Sequence, residues 1–335
     1  MEKQVKPVTS LGNVYVFDTA DIQFADVRMN HTSRVRSLDD ECLGICDKSL
    51  EQEIRRRRES YLPGTGMYDG ILLCFESLER GEKTRVLNTC DINYSTYQTL
   101  KSRLERTPGH EHTITRTLPM IGIVETSDNH LVLGYRSTVH MPDRYLPPAG
   151  FTDHTDPLPK NYLADITHEE VLEETGVDIN PNAVRYLGLT SGDDSRNVTF
   201  ITYVRVPQTV QDVEIKFAEM DAKLSREGKT VEHLHLLYLP SGIGALSDFL
   251  SSEYTGVLNP NKNIQFENGI CKIGPPEIRG KRYKQIGNGI GSMLCYIKTR
   301  TTDEQYQALV QRIEKSGAVD RILHPDINKH WSKTA

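Results

Sequence analysis

The chain is poor in several things on which other classes of protein depend. Tryptophan occurs once, aromatic residues make up 7% of the 335 positions, and no unbroken apolar stretch reaches membrane-spanning length. A bilayer-crossing helix needs about 20 consecutive apolar residues, so none is expected. The opening Met1-Glu2-Lys3-Gln4-Val5-Lys6 leads into no apolar segment, which speaks against a secretory signal and for a soluble, cytoplasmic protein. Of the six cysteines only Cys42 and Cys46 lie close together, and a lone C-x3-C with no second pair is a poor zinc pattern. Cys74 and Cys295 sit within apolar runs and read as small buried hydrophobes. Positive charge is not in excess either. The 40 lysines and arginines against 46 acidic residues leave a formal charge of −6, which argues against a nucleic-acid partner.

What is present suffices for a folded chain of more than one module. With 37% hydrophobic residues at this length, a core forms without disulfide or metal staples. Periodicity and turn residues set the expected elements. A strand starts at Val14, and a helix follows over 50–61. That helix carries Arg55-Arg56-Arg57-Arg58 among Glu51, Glu53 and Glu59, the pattern of a solvated face with i, i+4 ion pairs. Strands over 70–76 and 84–87 form a hairpin through Arg80-Gly81-Glu82-Lys83, and a helix covers 94–104. Beyond Pro108-Gly109, strands are expected over 120–125, 130–136, 184–189, 198–206 and 234–239, with an amphipathic segment over 213–224. The tail is expected to hold a strand over 293–298 and a helix over 303–315.

Three suggestive patterns are set aside. His110 with His112 and His233 with His235 are spaced i, i+2, which shares a face only on a strand, and no metal role is expected of either pair. Gly287-Asn288-Gly289-Ile290-Gly291 leads into an expected strand, where a dinucleotide loop needs a helix. The basic stretch Arg279-Gly280-Lys281-Arg282-Tyr283-Lys284 reads as a solvated loop.

Most of the chemistry lies in Glu169-Glu170-Val171-Leu172-Glu173-Glu174-Thr175-Gly176-Val177. Thr167 and Glu170 are spaced as a capping box, and Gly176 fits a helix C-cap. At about 100° per residue, Glu170, Glu173 and Glu174 fall within one arc and Val171 can pack inward. Like charges on one face repel. They are tolerated in open solvent or where a hard divalent cation neutralises them, and carboxylates are the ligands Mg2+ takes while it bridges to substrate phosphates. An acidic helix alone is a solvated face. Here a strand ending at Arg136 precedes Tyr145-Leu146-Pro147-Pro148-Ala149-Gly150-Phe151 and a loop into the helix.

In these residues the sequence resembles the Nudix hydrolase family, whose motif is G-x5-E-x7-R-E-U-x-E-E-x-G-U, U being a bulky aliphatic. Residues 170–177 match E-U-x-E-E-x-G-U at every specified position, and Gly150 corresponds to the opening glycine. The resemblance implies Glu173 and Glu174 as metal ligands and Glu170 as ligand or water-activating base, with the Gly150 carbonyl helping to hold Mg2+ or Mn2+. Three departures stand out. Gly150 to Glu170 spans 170 − 150 = 20 positions, five more than the motif. Glu169 occupies the arginine position, and Asn161 stands where the first glutamate is expected, with Asp153, Asp156 and Asp165 nearby. Glu232 is the candidate for a further ligand or base, with Glu227 as its alternative; Arg136 and Arg144 are candidates to clamp a diphosphate, since guanidinium groups suit phosphate oxygens.

The implied fold class is α+β: a Nudix-type α/β/α sandwich with a mixed sheet over 116–245, an N-terminal substrate-shaping α/β domain over 1–115 and a C-terminal extension over 246–335. Met67-Tyr68-Asp69-Gly70, residues 91–104 and Pro119-Met120-Ile121-Gly122-Ile123 are similar to a divergent branch acting on UDP-sugars. The implied reaction is Mg2+-dependent hydrolysis of a nucleoside diphosphate linked to another moiety, for a UDP-sugar giving UMP and a sugar 1-phosphate. The rival expectation is a module of the same fold that binds a nucleotide or a protein without turnover. The departures at Glu169 and in the lengthened loop favour that rival.

Overall fold

The computed structural model describes residues 9–11, 14–35, 48–60, 69–106, 116–136, 144–153, 157–192, 197–229, 233–251 and 287–317. Their strands are β1 (Thr9–Leu11), β2 (Val14–Gln23), β3 (Val27–Val35), β4 (Ile71–Arg80), β5 (Arg85–Asn93) and β6 (Met120–Glu125). They continue with β7 (His130–Arg136), β8 (Arg144–Leu146), β9 (Ala149–Gly150), β10 (Arg185–Gly192), β11 (Thr199–Arg205) and β12 (His233–Pro240). The helices are α1 (Lys48–Ser60), α2 (Tyr94–Arg106), α3 (Tyr162–Thr175), α4 (Val210–Arg226), α5 (Ile243–Leu250), α6 (Gly287–Lys298) and α7 (Asp303–Ser316).

The larger sheet runs β1-β2-β10-β11-β6-β7-β12, with β8 on β7 and β9 on β6. It is mixed: β11 and β6 are parallel, while β10 with β11 and β7 with β12 are antiparallel. Alternation along its strands sorts side chains between two layers. Ile121 and Ile123 of β6, with Leu237 and Leu239 of β12, pack with α5, α6 and α7. Val124, Leu236 and Tyr238 take the other face, with Val171 of α3 and Val213 and Phe217 of α4. A sheet apolar on both faces needs helices on both, and the result is an α/β/α sandwich of the α+β class.

Strands of the larger sheet come from the N-terminal and middle segments, and the described C-terminal segment packs helices on it. β1 and β2 enter through the pairing of β2 with β10, and α6 from the C-terminal segment packs against both of those strands. The smaller sheet, β3-β5-β4, carries α1 and α2. It joins the larger body along β4, where Leu73 N–H donates to Thr152 O at 3.0 Å and Leu118 N–H donates to Leu73 O at 2.8 Å.

Two expectations fail locally. Residues 293–298 are the end of helix α6, not a strand. Periodicity cannot separate a short apolar run in a buried strand from one in a helix buried all round, and Met293, Leu294, Cys295, Tyr296 and Ile297 are all buried. The ground for dismissing the glycine-rich run therefore falls, since Gly287 opens this helix. Gly291 has a packing explanation instead: a Cβ there would lie 2.7 Å from Thr190 Cβ, so its absence lets α6 approach β10. The second failure is the capping box. Helix α3 starts at Tyr162, and Thr167 lies inside it, donating from Oγ1 to Leu163 O at 2.7 Å. The lengthened loop hid the extra turn.

Cys74, Cys90 and Cys295 are buried. Cys42, Cys46, Cys271, His110, His112 and the basic stretch 279–284 lie outside the described residues. In the arginine run, Arg58 pairs with Asp69 at 2.9 Å. Asp69 also accepts the Ser95 N–H at 2.7 Å and so caps the start of α2.

Candidate functional site

Helix α3 ends where the sequence says it should. Gly176 adopts the left-handed conformation (φ 73°) and donates its N–H to Leu172 O. A residue with a Cβ would be strained there. The inward face of the helix is Leu163, Ala164, Ile166, Thr167, Val171, Glu174 and Thr175. A carboxylate thus occupies a position that the helical period makes apolar, and Glu174 is only 3% exposed.

Burial costs an ionised carboxylate several kcal/mol unless it is paired. Among the described residues, two groups approach one oxygen of Glu174. The Ala149 N–H donates to its Oε2 at 3.0 Å, and His233 Nε2 stands 3.0 Å from the same oxygen. His233 is fully buried, and its contact with Glu174 lies off the line of a straight hydrogen bond. Glu170, one turn before Glu174, is half-buried against β9. A Cβ on Gly150 would fall 1.7 Å from Glu170 Oε1, so the carboxylate fills the space a side chain at 150 would take. Glu173 and Glu169 are exposed. The arc expected to gather three carboxylates is therefore split: Glu170 and Glu174 converge on Ala149 and Gly150, and Glu173 faces solvent.

The negative field is legible in a neighbour. Burial pushes the Tyr162 phenol well above its ordinary value, and the charges of Asp153, Glu169 and Glu170 push it further. Tyr162 also donates its hydroxyl to Asp153 O. The strand after Gly150 is tied down on the other side as well. Thr152 Oγ1 donates to Leu118 O at 2.6 Å, and the Phe151 ring meets Tyr97 and Tyr94 of α2 edge-on at 5.4 and 5.8 Å.

Glu232 lies outside the described residues, directly before His233. Glu227 ends α4, with its carboxylate 3.0 Å from Lys229 Nζ. Arg136 is in register with Arg144 across β7 and β8, and with His233 across β7 and β12, so all three backbone positions lie at one level of the sheet. Asp165 is half-buried near the start of α3, and Asp156 lies outside the described residues.

Sequence reasoning missed His233 and the Ala149 N–H. The i, i+2 pair was the available signal, but a β-bulge between His233 and His235 re-aims the two residues. His235 stacks on Tyr135 at 4.7 Å while His233 turns to Glu174.

The donors are hard oxygens of the kind Mg2+ and Mn2+ take. Among the described residues, no group of three His, Cys, Asp or Glu side chains is gathered around a common point. What fits is an ion held by two carboxylates, with waters and substrate oxygens completing its shell, an arrangement Mg2+ accepts.

No family model matches this chain, and no curated protein matches it. Solved structures to which it is similar include a MutT/nudix family protein from Enterococcus faecalis (15% identity, 36% of this chain and 42% of that one, TM-score 0.26). Another is the NUDIX domain of Shewanella oneidensis NrtR complexed with ADP ribose (19% identity, 29% and 62%, TM-score 0.23). A third is a bifunctional NMN adenylyltransferase/ADP ribose pyrophosphatase from Francisella tularensis, complexed with AMP and a Mn ion (12% identity, 44% and 41%, TM-score 0.27). The match spans less than two thirds of the length of each of these chains.

Proposed function

We propose that the chain is a Nudix-type pyrophosphohydrolase that cleaves a nucleoside diphosphate linked to another moiety. The observation that carries this reading is the placement of Glu174 and Glu170. One is buried and the other half-buried, and α3 holds both against Ala149 and Gly150, the residues the motif pairs with that helix. A buried carboxylate that only served packing would be replaced at a gain by an apolar side chain.

Within this reading Glu170 and Glu174 hold Mg2+ or Mn2+, with the Gly150 carbonyl, and Glu173 joins the ligand set only if its side chain turns inward. A divalent ion supplies charge neutralisation on diphosphate oxygens and makes water more acidic. Glu170 or Glu232 takes the proton of the attacking water. Arg136 and Arg144, at the same level of the sheet as His233, clamp the diphosphate. The proposed substrate class is a UDP-sugar, yielding UMP and sugar 1-phosphate. Residues 1–115 shape its site, 116–245 carry the chemistry and 246–335 extend the core. Among the described residues, no helix is long and apolar enough to cross a membrane, and a cytoplasmic location is part of the proposal.

The exposure of Glu173, together with Glu169 in the arginine position, favours a second reading, a module that binds a nucleotide without turnover. One experiment separates them. Purified protein is incubated with Mg2+ and UDP-glucose, ADP-ribose, NADH or a dinucleoside polyphosphate, and products are separated by ion-exchange chromatography, with Glu174→Gln as control. The hydrolase reading expects UMP and glucose 1-phosphate from wild type only. Binding without turnover of any of the four would sink it and leave the binding module.

A further inference from the structure

His233 lies outside every role considered so far, yet it is built into the site from three sides. Its imidazole is fully buried, 3.0 Å from a carboxylate that is itself 2% exposed at the side chain. The ring lies against the backbone of Gly134 on β7: a Cβ at 134 would fall 2.3 Å from Nε2 and 2.4 Å from Cδ2 and Cε1. Any other residue at 134 displaces the imidazole. The bulge in β12 turns His233 toward α3 and leaves His235 against Tyr135. Among the described residues, neither ring nitrogen makes a hydrogen bond, and the close polar contact of the ring is the 3.0 Å approach of Nε2 to Glu174.

At 3.0 Å the edge of the imidazole and the carboxylate oxygen are in close polar contact, which is attractive with the hydrogen on Nε2 and repulsive with a lone pair there. With little water nearby, the attraction is weakly screened. The Ala149 N–H binds the same Oε2 from β9. A hydrogen bond from one strand and a close imidazole contact from another confine the carboxyl group between them and so limit the direction of its second oxygen.

We infer that His233 is a positioning residue, holding Glu174 in the orientation that receives the metal. The inference rests on the reading of Glu170 and Glu174 as metal carboxylates and deepens it. The histidine takes no part in bond making. It acts through Glu174, as groups behind metal ligands generally do, and losing such a group typically weakens metal affinity about 10- to 100-fold.

The test measures Mn2+ binding to metal-free protein by electron paramagnetic resonance titration, without substrate, alongside thermal unfolding. Wild type, Glu174→Gln, His233→Ala, His233→Gln and Gly134→Ala are compared. His233→Gln keeps an N–H donor, and Gly134→Ala moves the imidazole while leaving it in the chain. The expected result is that His233→Ala and Gly134→Ala weaken Mn2+ binding about 10- to 100-fold, and that His233→Gln recovers most of it. If His233→Ala unfolds, Gly134→Ala decides. Mn2+ affinity unchanged in folded His233→Ala or in folded Gly134→Ala overturns the inference and leaves a packing histidine. Absence of Mn2+ binding by wild type overturns instead the metal reading under it, and a Glu174→Gln protein that binds like wild type does the same.

Discussion

Asp18 and Arg85 lie 67 positions apart and meet in a buried ion pair, Arg85 Nε to Asp18 Oδ2 at 2.7 Å, that ties the smaller sheet to the larger. Arg80 reaches the other carboxylate oxygen at 3.0 Å, and Tyr186 donates its hydroxyl to Oδ2 at 2.8 Å. Burial first, then the Asp18 charge, pushes the Tyr186 phenol well above its ordinary value, so it stays a donor. Removing one partner strands the other charge, which costs about 3–5 kcal/mol. Asp18→Ala is expected to lower unfolding free energy by that amount in urea titration. The double variant Asp18→Ala with Arg85→Met is expected to lose less than the sum of the two single changes.

Gly150→Ala tests the contact with Glu170. The new methyl would sit 1.7 Å from Glu170 Oε1, so the carboxylate must leave. Mn2+ affinity is expected to fall about tenfold or more, as for other disturbances of a ligand's surroundings. The unfolding midpoint is expected to move little, because position 150 is only half-buried. Calorimetric metal titration beside thermal melting checks both.

Phe151 links the site to the N-terminal segment through two edge-on ring contacts, with Tyr94 and Tyr97. Each such pair contributes about 0.5–1.5 kcal/mol beyond area burial. Phe151→Leu is expected to cost about 1–3 kcal/mol on that basis, and to speed amide hydrogen exchange at residues 151–153, read by mass spectrometry. Unchanged exchange there would show that the contact does not steady the strand.

Glu125 sets a pH dependence. Burial pushes its carboxyl up, but hydrogen bonds from Ser241, Tyr203 and Tyr296 and the Arg300 charge outweigh this, and the group ends below its ordinary 4.5. A carboxylate lowered on folding contributes stability that is present above its unfolded value and is lost as pH falls through the folded one. Wild type is therefore expected to lose unfolding free energy as pH drops below about 4.5, more steeply than Glu125→Gln. Urea unfolding of both proteins from neutral to acid pH measures the difference.

Much of this architecture was legible in local pattern. Gly176 ends α3 because only a residue tolerant of positive φ closes a helix that way, and the motif spacing alone located it. Strands β2, β6, β7, β10, β11 and β12 of the larger sheet follow from apolar runs between turn residues, while the short β1, β8 and β9 were not expected. The acidic helix with carboxylates about one turn apart and the burial of Cys74 and Cys295 are legible in the same way.

Other features depend on which segments meet. Local pattern could not show that residues 293–298 are helical, because a run buried on every side carries no period, and the helix is set by packing on β10 through Gly291 and Thr190. It could not divide Glu173 from Glu174 either. Consecutive residues stand about 100° apart on a helix, so one of the two can turn inward, and which one does was decided by where β9 lies against α3. His233 is the sharpest case. One extra residue in β12 turns the side chain from one face to another, and Gly134 on a separate strand makes the space for it. Sequence spacing specifies direction along an element. The partner of a buried charge is set by contacts between elements far apart in the chain, and those exist only once the sheet has closed on its helices.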